Sequence, residues 1–192
     1  MHRARDRVGR TAARLMRKAL FLDRDGVLDE LVYYADSNEW ESPRRVEDIR
    51  LIPGAFEAVK RARAAGFEIV VITNQPSFAK GKISRESLEA VHAQIAGSLK
   101  SYVCYHGPAD GCDCRKPGTK FVDDAARELD LDLAQSWFIG DQDSDLACGR
   151  AAGMRVILIE HAHSAHKRGR IEPDFRALDL AAAIEHVIQN AP

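Results

Sequence analysis

Short apolar runs along this chain alternate with longer stretches in which apolar residues recur every three or four positions. The runs KALFLD, FEIVVIT, SWFIGD and MRVILIE are almost continuously apolar. This pattern is typical of strands that are buried on both faces of a parallel sheet. SYVCYH is a weaker candidate of the same kind. The runs therefore predict a sheet of mostly parallel strands.

Helical periodicity fills the stretches between these runs. The segment Pro53 to Gly66 starts with proline and stops with glycine, as helices commonly do. Ser84 is placed to cap a second helix, whose apolar stripe runs through Leu88, Val91, Ile95 and Leu99. Three further stripes predict helices at 121–129, 143–153 and 178–188. This alternation predicts an α/β fold, a doubly wound Rossmann-like sheet with helices on both faces.

The segment 26–52 does not fit the alternation. It is long, aromatic and polar, and it follows the first predicted strand directly. Insertions of this kind are usually functional, so we predict a flap at 26–52 and no large cap domain. Its Tyr33, Tyr34 and Trp40 either cover a substrate or pack within the insertion, and the sequence favours neither.

The overall composition is that of a globular domain, with 192 residues, 45% hydrophobic and 30% charged, and a net charge of −1. This charge argues against a general nucleic-acid or membrane-surface partner. The chain has no apolar run long enough to span a bilayer and no export signal, which predicts a cytoplasmic protein. One domain is expected over 19–192, preceded by an arginine-rich extension at 1–18. That extension is predicted to be mobile, with a basic contact arm as the alternative.

Polar and charged residues gather where the predicted strands end, and ligands of open α/β sheets bind beyond these ends. The residues are Asp23, Asp25, Thr73, Asn74, Gly140, Asp141 and Asp145, with Lys116 after the weaker strand. Clustered carboxylates repel one another unless a cation lies among them, and oxygen ligands favour Mg²⁺. A carboxylate can attack phosphorus, and a lysine can neutralise the phosphoryl charge. The pattern predicts a phosphoryl-transfer site.

Four motifs, FLDRDG, VITNQ, RKPG and GDQDSD, resemble in order and spacing those of the haloacid dehalogenase (HAD) superfamily. The resemblance covers most of 19–160. It implies that Asp23 is the nucleophile that becomes an aspartyl phosphate. It also implies that Asp25 is the general acid and base, that Thr73 hydrogen-bonds the phosphoryl group, and that Lys116 neutralises its charge.

The same resemblance implies a magnesium site. Its ligands would be the Asp23 carboxylate, the Asp25 main-chain carbonyl and Asp141. Asp145 would support either the metal or Lys116. An aspartate at position 25 favours a phosphatase over a dehalogenase, because it can activate water against the acyl phosphate.

A cysteine-rich stretch, which we call the zinc loop (104–114), precedes the RKPG motif. Cys104, His106, Cys112 and Cys114 supply four ligands, the full complement of a closed structural zinc site. A disulfide or redox pair and unligated thiols are the alternatives. Cys148 lies outside this cluster and is expected to be a small core residue.

The closer resemblance is to the small, capless histidinol-phosphate and heptose-bisphosphate phosphatases, which have a zinc loop in this place. It implies that Arg115 contacts a phosphate that is not cleaved, next to Lys116, and that Asn74 helps to hold substrate. We favour a heptose bisphosphate as the small phosphorylated substrate of a monomeric enzyme, with histidinol phosphate as the alternative. Lys80 and Lys82 either attract a second anionic group or belong to a solvated loop.

Two non-enzymatic classes of protein also combine some of these features. A phospho-accepting signalling domain carries acidic strand ends with Thr and Lys, but its acceptor follows a central strand. A zinc-binding interaction module would need basic residues around the cysteines, whereas GPADGCD adds acids. His161, His163 and His166 lie in a polar segment that is predicted to be a solvated loop.

Overall fold

A parallel sheet of six strands forms the centre of the computed structural model, which describes residues 16–190. These residues contain eight strands: β1 Ala19–Leu22, β2 Val32–Tyr34, β3 Glu39–Glu41, β4 Glu68–Asn74, β5 Lys100–Cys104, β6 Trp137–Gly140, β7 Arg155–Ile159 and β8 Phe175–Ala177. The order across the sheet is β5-β4-β1-β6-β7-β8, and β2 and β3 form a separate antiparallel hairpin. The strand order crosses over beside β1, which places the loops after β1, β4 and β6 next to one another.

Helices cover both faces of the sheet. They are α1 Ala55–Ala64, α2 Arg85–Ala96, α3 Lys120–Leu129, α4 Asp143–Ala151 and α5 Leu180–Gln189. Alternate residues of β1 point to opposite faces: Leu20 and Leu22 pack with residues of α1, α2 and α5, and Ala19 and Phe21 pack with residues of α3 and α4. Each large side chain buried here contributes about 1.5–3 kcal/mol to folding.

The register of β1 brings three strand ends to one level. Leu22 pairs with Val71 of β4 and with Ile139 of β6. The backbone N–H of Asp23 then donates to the carbonyl of Ile139 at 2.9 Å. The residues that follow β1 and β6 therefore emerge side by side at the same edge.

The predicted fold class is confirmed, and every predicted strand is present. Ser84 caps α2 as expected, accepting from the N–H of Ser87 at 3.1 Å. The predicted stripe runs too far, because the helix ends at Ala96 and Gly97 has φ of +56°. Leu99 is still buried, but it lies outside the helix.

Two further differences concern the carboxyl-terminal end of the fold. The last helix begins at Leu180 instead of Leu178, because Asp179 accepts from the N–H of Ala182 at 2.8 Å and leaves Leu178 exposed. Strand β8, three residues long, was not predicted.

The predicted flap, residues 26–52, contains the β2–β3 hairpin. Tyr33 and Trp40 face each other across it with ring centroids 5.7 Å apart. The flap is tied to its surroundings on one side by an ion pair between Lys82 and Glu41. On the other side the Trp40 ring stacks on His163, with centroids 3.4 Å apart and planes 9° from parallel. Neither Tyr33 nor Tyr34 is fully buried.

The predicted extension at 1–18 falls mostly outside the described residues. Arg17 is described, and it donates to the carbonyl of Leu129 from Nη2 at 2.7 Å and pairs with Glu68. Between residues 16 and 190, no helix combines the length and the apolar character that a bilayer crossing requires.

Candidate active site

Asp23 and Lys116 form a buried ion pair at the edge where β1, β4 and β6 end. Lys116 Nζ lies 2.7 Å from Asp23 Oδ1 and 2.8 Å from Asp145 Oδ1. It also donates to the carbonyl of Ile72 at 2.7 Å, so its position is fixed by three partners. The two carboxylates raise the pKa of Lys116 against the opposing effect of burial. Lys116 is therefore charged at neutral pH.

The carboxylate of Asp23 has one engaged oxygen. Oδ1 accepts from Lys116 and from the N–H of Arg24 at 2.7 Å. The other carboxylate oxygen of Asp23, Oδ2, contacts neither Lys116 nor the N–H of Arg24. Burial, together with Asp145 and Asp25, raises the pKa of Asp23 to about 7 although Lys116 opposes this shift.

Asp25 is held at both carboxylate oxygens. Oδ1 accepts from Arg24 Nη2 at 2.7 Å, and Oδ2 accepts from Gln75 Nε2 at 2.6 Å and from Thr73 Oγ1 at 3.3 Å. Burial alone would raise the pKa of Asp25, but the charge of Arg24 and the hydrogen bonds of Arg24, Ser42 and Gln75 outweigh it and lower the pKa. Asp25 is therefore ionised and oriented.

Arg24 and Gln75 were not predicted as site residues, although both stand inside quoted motifs. Arg24 is completely buried between Asp25 and the buried Asp29, whose carboxylate is 4.0 Å away. Gln75 is 2% exposed and also donates to Thr73 Oγ1 at 2.8 Å. In the sequence, only their place beside predicted site residues, Arg24 between Asp23 and Asp25 and Gln75 after Asn74, pointed to them, and this place does not indicate what they contact.

Asp141 fits the predicted cation site. Its side chain is completely buried, and neither carboxylate oxygen has a hydrogen-bond partner among the described residues. Burial, with Asp145 and Asp23 nearby, raises its pKa well above the ordinary range. Oxygens of Asp23, Asp141 and Asp145 lie within 4.8 Å of one another. A divalent cation would satisfy these orphaned oxygens and offset their repulsion.

Gly26 makes room for Asp141. It has φ of +81°, and a Cβ built on it would lie 2.5 Å from Asp141 Oδ2. Only glycine fits this backbone conformation and this approach at once.

The side-chain amide of Asn74 forms two hydrogen bonds with the backbone of Lys116. Asn74 Nδ2 donates to the Lys116 carbonyl at 3.1 Å, and the Lys116 N–H donates to Asn74 Oδ1 at 3.0 Å. The amide thus holds the start of the RKPG motif against β4. Asn74 also borders the cavity. Its predicted contact with substrate stays a prediction, whereas its contact with Lys116 is observed.

The four predicted zinc ligands are brought together. The Sγ of Cys104 lies 3.5 Å from that of Cys114, 3.8 Å from that of Cys112 and 3.6 Å from His106 Nδ1. A disulfide requires about 2.05 Å, and all four cysteines of the chain are free. Sulfurs bound tetrahedrally at about 2.3 Å would stand about 3.8 Å apart. The loop thus fits a structural zinc ion.

A cavity of about 410 Å³ opens above the carboxylates. Asp23, Asp25 and Lys116 lie in its buried part, and residues 38–42 of the flap line one side. Other walls come from the loop after β4, from the zinc loop with Arg115, and from the start of α4. The volume falls in the range of small-ligand sites.

The segment after β7 also borders this cavity, which corrects a prediction. Ala162–Lys167 is a short 3-10 helix, which we call the distal turn. It was predicted to be a solvated loop, but Ser164 is completely buried and its Oγ donates to the Asp141 carbonyl at 3.2 Å. His166 and Lys167 line the cavity.

Comparison with known proteins gives consistent results. The HAD-hydrolase-like family model matches residues 113–183. D-glycero-beta-D-manno-heptose-1,7-bisphosphate 7-phosphatase of Pseudomonas aeruginosa is 34% identical over 91% of this chain and 100% of its own length. D-glycero-D-manno-heptose-1,7-bisphosphate 7-phosphatase of Chlorobaculum tepidum is 34% identical over 91% of this chain and 96% of its own.

A solved structure agrees with these relatives. It is D,D-heptose 1,7-bisphosphate phosphatase from B. bronchiseptica, complexed with magnesium and phosphate. It superposes with a TM-score of 0.75 at 32% identity and covers 91% of this chain and 99% of that one.

Proposed function

Because this chain belongs to the HAD-like phosphatases, in the family of the D-glycero-D-manno-heptose-1,7-bisphosphate 7-phosphatases, we propose that it removes the 7-phosphate of that sugar bisphosphate. The observation that carries the chemistry is the buried Asp23–Lys116 pair with the oriented Asp25 two residues on. A non-enzymatic signalling domain is set aside, since the family consists of phosphatases.

The first step transfers the phosphoryl group to the enzyme. Asp23 Oδ2, the oxygen outside the ion pair, attacks phosphorus and forms an aspartyl phosphate while the bond to the ester oxygen breaks. That leaving oxygen takes a proton from Asp25, whose pKa is low in the free protein but is raised by the negative charge of the phosphate bound beside it. Lys116 offsets the charge on the equatorial oxygens. Thr73 Oγ1 donates to Asp25 Oδ2 in the free protein and would redirect this hydrogen bond to the phosphoryl group when substrate binds.

The second step releases inorganic phosphate. A water oxygen attacks phosphorus and its proton passes to Asp25, which now acts as the base. The bond between phosphorus and the Asp23 oxygen breaks, which restores the carboxylate. Gln75 and Arg24 keep the Asp25 carboxylate directed into the cavity through both steps.

Mg²⁺ would be held by the carboxylates of Asp23 and Asp141 and by the main-chain carbonyl of Asp25. When bound, it supplies positive charge to the phosphoryl oxygens and to the attacking carboxylate. Asp145 is engaged with Lys116 and with the N–H of Gln142, which supports a role in placing the lysine.

Zinc held by Cys104, His106, Cys112 and Cys114 would have a structural role. The ligand set is complete and leaves no open position for substrate. Arg115 and Lys116 follow the last ligand directly. The metal would therefore fix the loop that delivers these two cations to the cavity. We also expect a monomer. The four free thiols are consistent with a reducing cytoplasm.

A comparison of substrates tests the proposal. Phosphate release is measured from both anomers of heptose 1,7-bisphosphate, from histidinol phosphate and from simple sugar monophosphates. We expect the highest kcat/KM for a heptose bisphosphate. A preference for histidinol phosphate would overturn the substrate assignment but not the phosphatase chemistry.

The nucleophile is tested by Asp23→Asn. We expect turnover to fall by at least about 10³-fold, because an amide cannot form the acyl phosphate. Denaturant unfolding should confirm a folded variant. Near-normal activity of Asp23→Asn would disprove the aspartyl-phosphate mechanism.

A further inference from the structure

The walls of the cavity carry cations that the chemistry of phosphoryl transfer does not use. Lys80, Arg115 and Lys167 all line it, and they come from three separate connections of the chain. Lys80 and Lys167 are exposed, whereas Asp23 and Lys116 beneath them are buried. The positive charges thus form a rim above the reacting carboxylates.

None of these rim cations has an ion-pair partner among the residues that the structure describes. The ion pairs among the cavity residues join Lys116 to Asp23 and Asp145, and the flap carboxylates Glu39 and Glu41 pair with Lys82. Within residues 16–190, no carboxylate lies within ion-pair distance of Lys80, Arg115 or Lys167. Arg115 makes one long contact of 3.4 Å, with the carbonyl of His106. A cavity with unpaired cations at its rim is suited to an anionic ligand.

The distal turn is fixed in place, although its sequence is that of a polar loop. Ser164 binds the backbone of Asp141 and the His163 ring stacks on Trp40 of the flap. At the ends of the turn, His161 Nε2 lies 2.8 Å from Glu30 Oε2, and Arg168 Nη1 donates to the His161 carbonyl at 2.7 Å. These contacts hold His166 and Lys167 at the cavity wall.

We infer that Lys167, presented by the distal turn, is a specificity-determining residue that binds the phosphate that is not cleaved, together with Arg115 and Lys80. This inference rests on the proposed function and adds a recognition element to it. The Asp141–Ser164 contact places the turn relative to the metal site. The distance between the two phosphates that the cavity accepts is therefore built into the fold.

The test compares two substrates that share the cleaved group, heptose 1,7-bisphosphate and heptose 7-phosphate. For Lys167→Met we expect kcat/KM on the bisphosphate to fall roughly tenfold, mainly through KM, with no change on the monophosphate. Lys60→Met is the matched control, since Lys60 lies on α1 and pairs with the exposed Glu57. It should leave both substrates unaffected.

Each other outcome has a distinct meaning. If Lys167→Met lost kcat/KM equally on both substrates, Lys167 would only maintain the turn. If kcat/KM fell on neither substrate, Lys167 would bind no phosphate. Either result overturns the inference. Equal wild-type efficiency on the two substrates would also overturn it, because no subsite for a second phosphate would then exist. A wild-type preference for histidinol phosphate would instead count against the proposed function.

Discussion

Single atoms decide the geometry around Asp141, and Gly26 is the clearest case. Its missing Cβ leaves room for Asp141 Oδ2, at a backbone φ that other residues avoid. The chain offers a close comparison in Gly66, which has φ of +87° and no heavy atom within 4 Å of the point where a Cβ would lie. Alanine substitutions at these two positions therefore separate the cost of backbone strain from the effect of displacing the Asp141 carboxylate.

We expect Gly26→Ala and Gly66→Ala to share a strain cost of about 1–2 kcal/mol. Only Gly26→Ala should displace Asp141, lowering kcat by roughly 10²-fold and raising the Mg²⁺ concentration needed for half-maximal activity. Denaturant unfolding and a magnesium titration measure the two effects. A Gly26→Ala variant that kept wild-type magnesium dependence would contradict the expected displacement of Asp141 from the metal site.

Among elements, the zinc loop is the one that we expect to depend most on a bound ligand for its order. It has no strand or helix between Cys104 and the start of α3 at Lys120. Its internal hydrogen bonds are local, such as that of the Gly107 N–H, which donates to Asp110 Oδ2 at 2.7 Å. Yet Arg115 and Lys116, which line the cavity, follow this loop directly. A zinc ion bound here would thus link the stability of the loop to substrate binding.

Replacing Cys112 by Ser should remove the zinc and lower the free energy of unfolding by about 2 kcal/mol or more. KM should rise before the variant loses the ability to form the aspartyl phosphate, because Lys116 keeps its three buried partners. Metal analysis, denaturation and trapping of the phosphoenzyme give these three readings.

Cys148→Ser is the matched control for this change. Cys148 is buried in α4, and its Sγ donates to the Gly118 carbonyl at 3.3 Å, a bond that serine can keep. This variant should retain one zinc per chain. If Cys112→Ser also retained its zinc and its stability, the loop would not depend on the metal.

The whole molecule should respond to acid through His92. Burial, with Arg24 nearby, lowers the pKa of His92 to about 4 although Asp25 opposes this shift. The unfolded chain binds the proton at about pH 6.5. The stability that neutral His92 contributes is therefore fully present above about pH 6.5, and it is lost as the pH falls towards about 4.

We expect the wild type to lose about 1 kcal/mol more than His92→Gln between about pH 7 and about pH 5.5, after allowance for the partial exposure of the ring. Denaturant unfolding at the two pH values, with both metals present, measures this difference. Identical losses in the two proteins would show that His92 does not contribute to acid sensitivity.

The fold could be predicted from the sequence because its determinants are local. The apolar runs of β1, β4, β6 and β7 and the cap at Ser84 are patterns within a few residues. The carboxylates could be predicted for a related reason. Strand ends in a parallel sheet meet at one edge, so Asp23, Asp25 and Asp141 had to converge.

The distal turn could not be predicted, because its order arises from contacts between distant segments. His163 is fixed by Trp40, and Ser164 by the backbone of Asp141. Polar residues without periodicity carry no sign of such contacts, and the tract His161–His166 has the pattern of a solvated loop. Gln75 shows the same limit: a buried amide becomes meaningful only when Asp25 is seen beside it.

The rim cations lie on separate connections, and this arrangement bears on how the enzyme can evolve. A mutation in one connection alters one charge at the rim while the carboxylates on the strand ends keep their places. A duplicated gene could therefore acquire a new substrate preference by successive substitutions, and the enzyme would remain active after each of them.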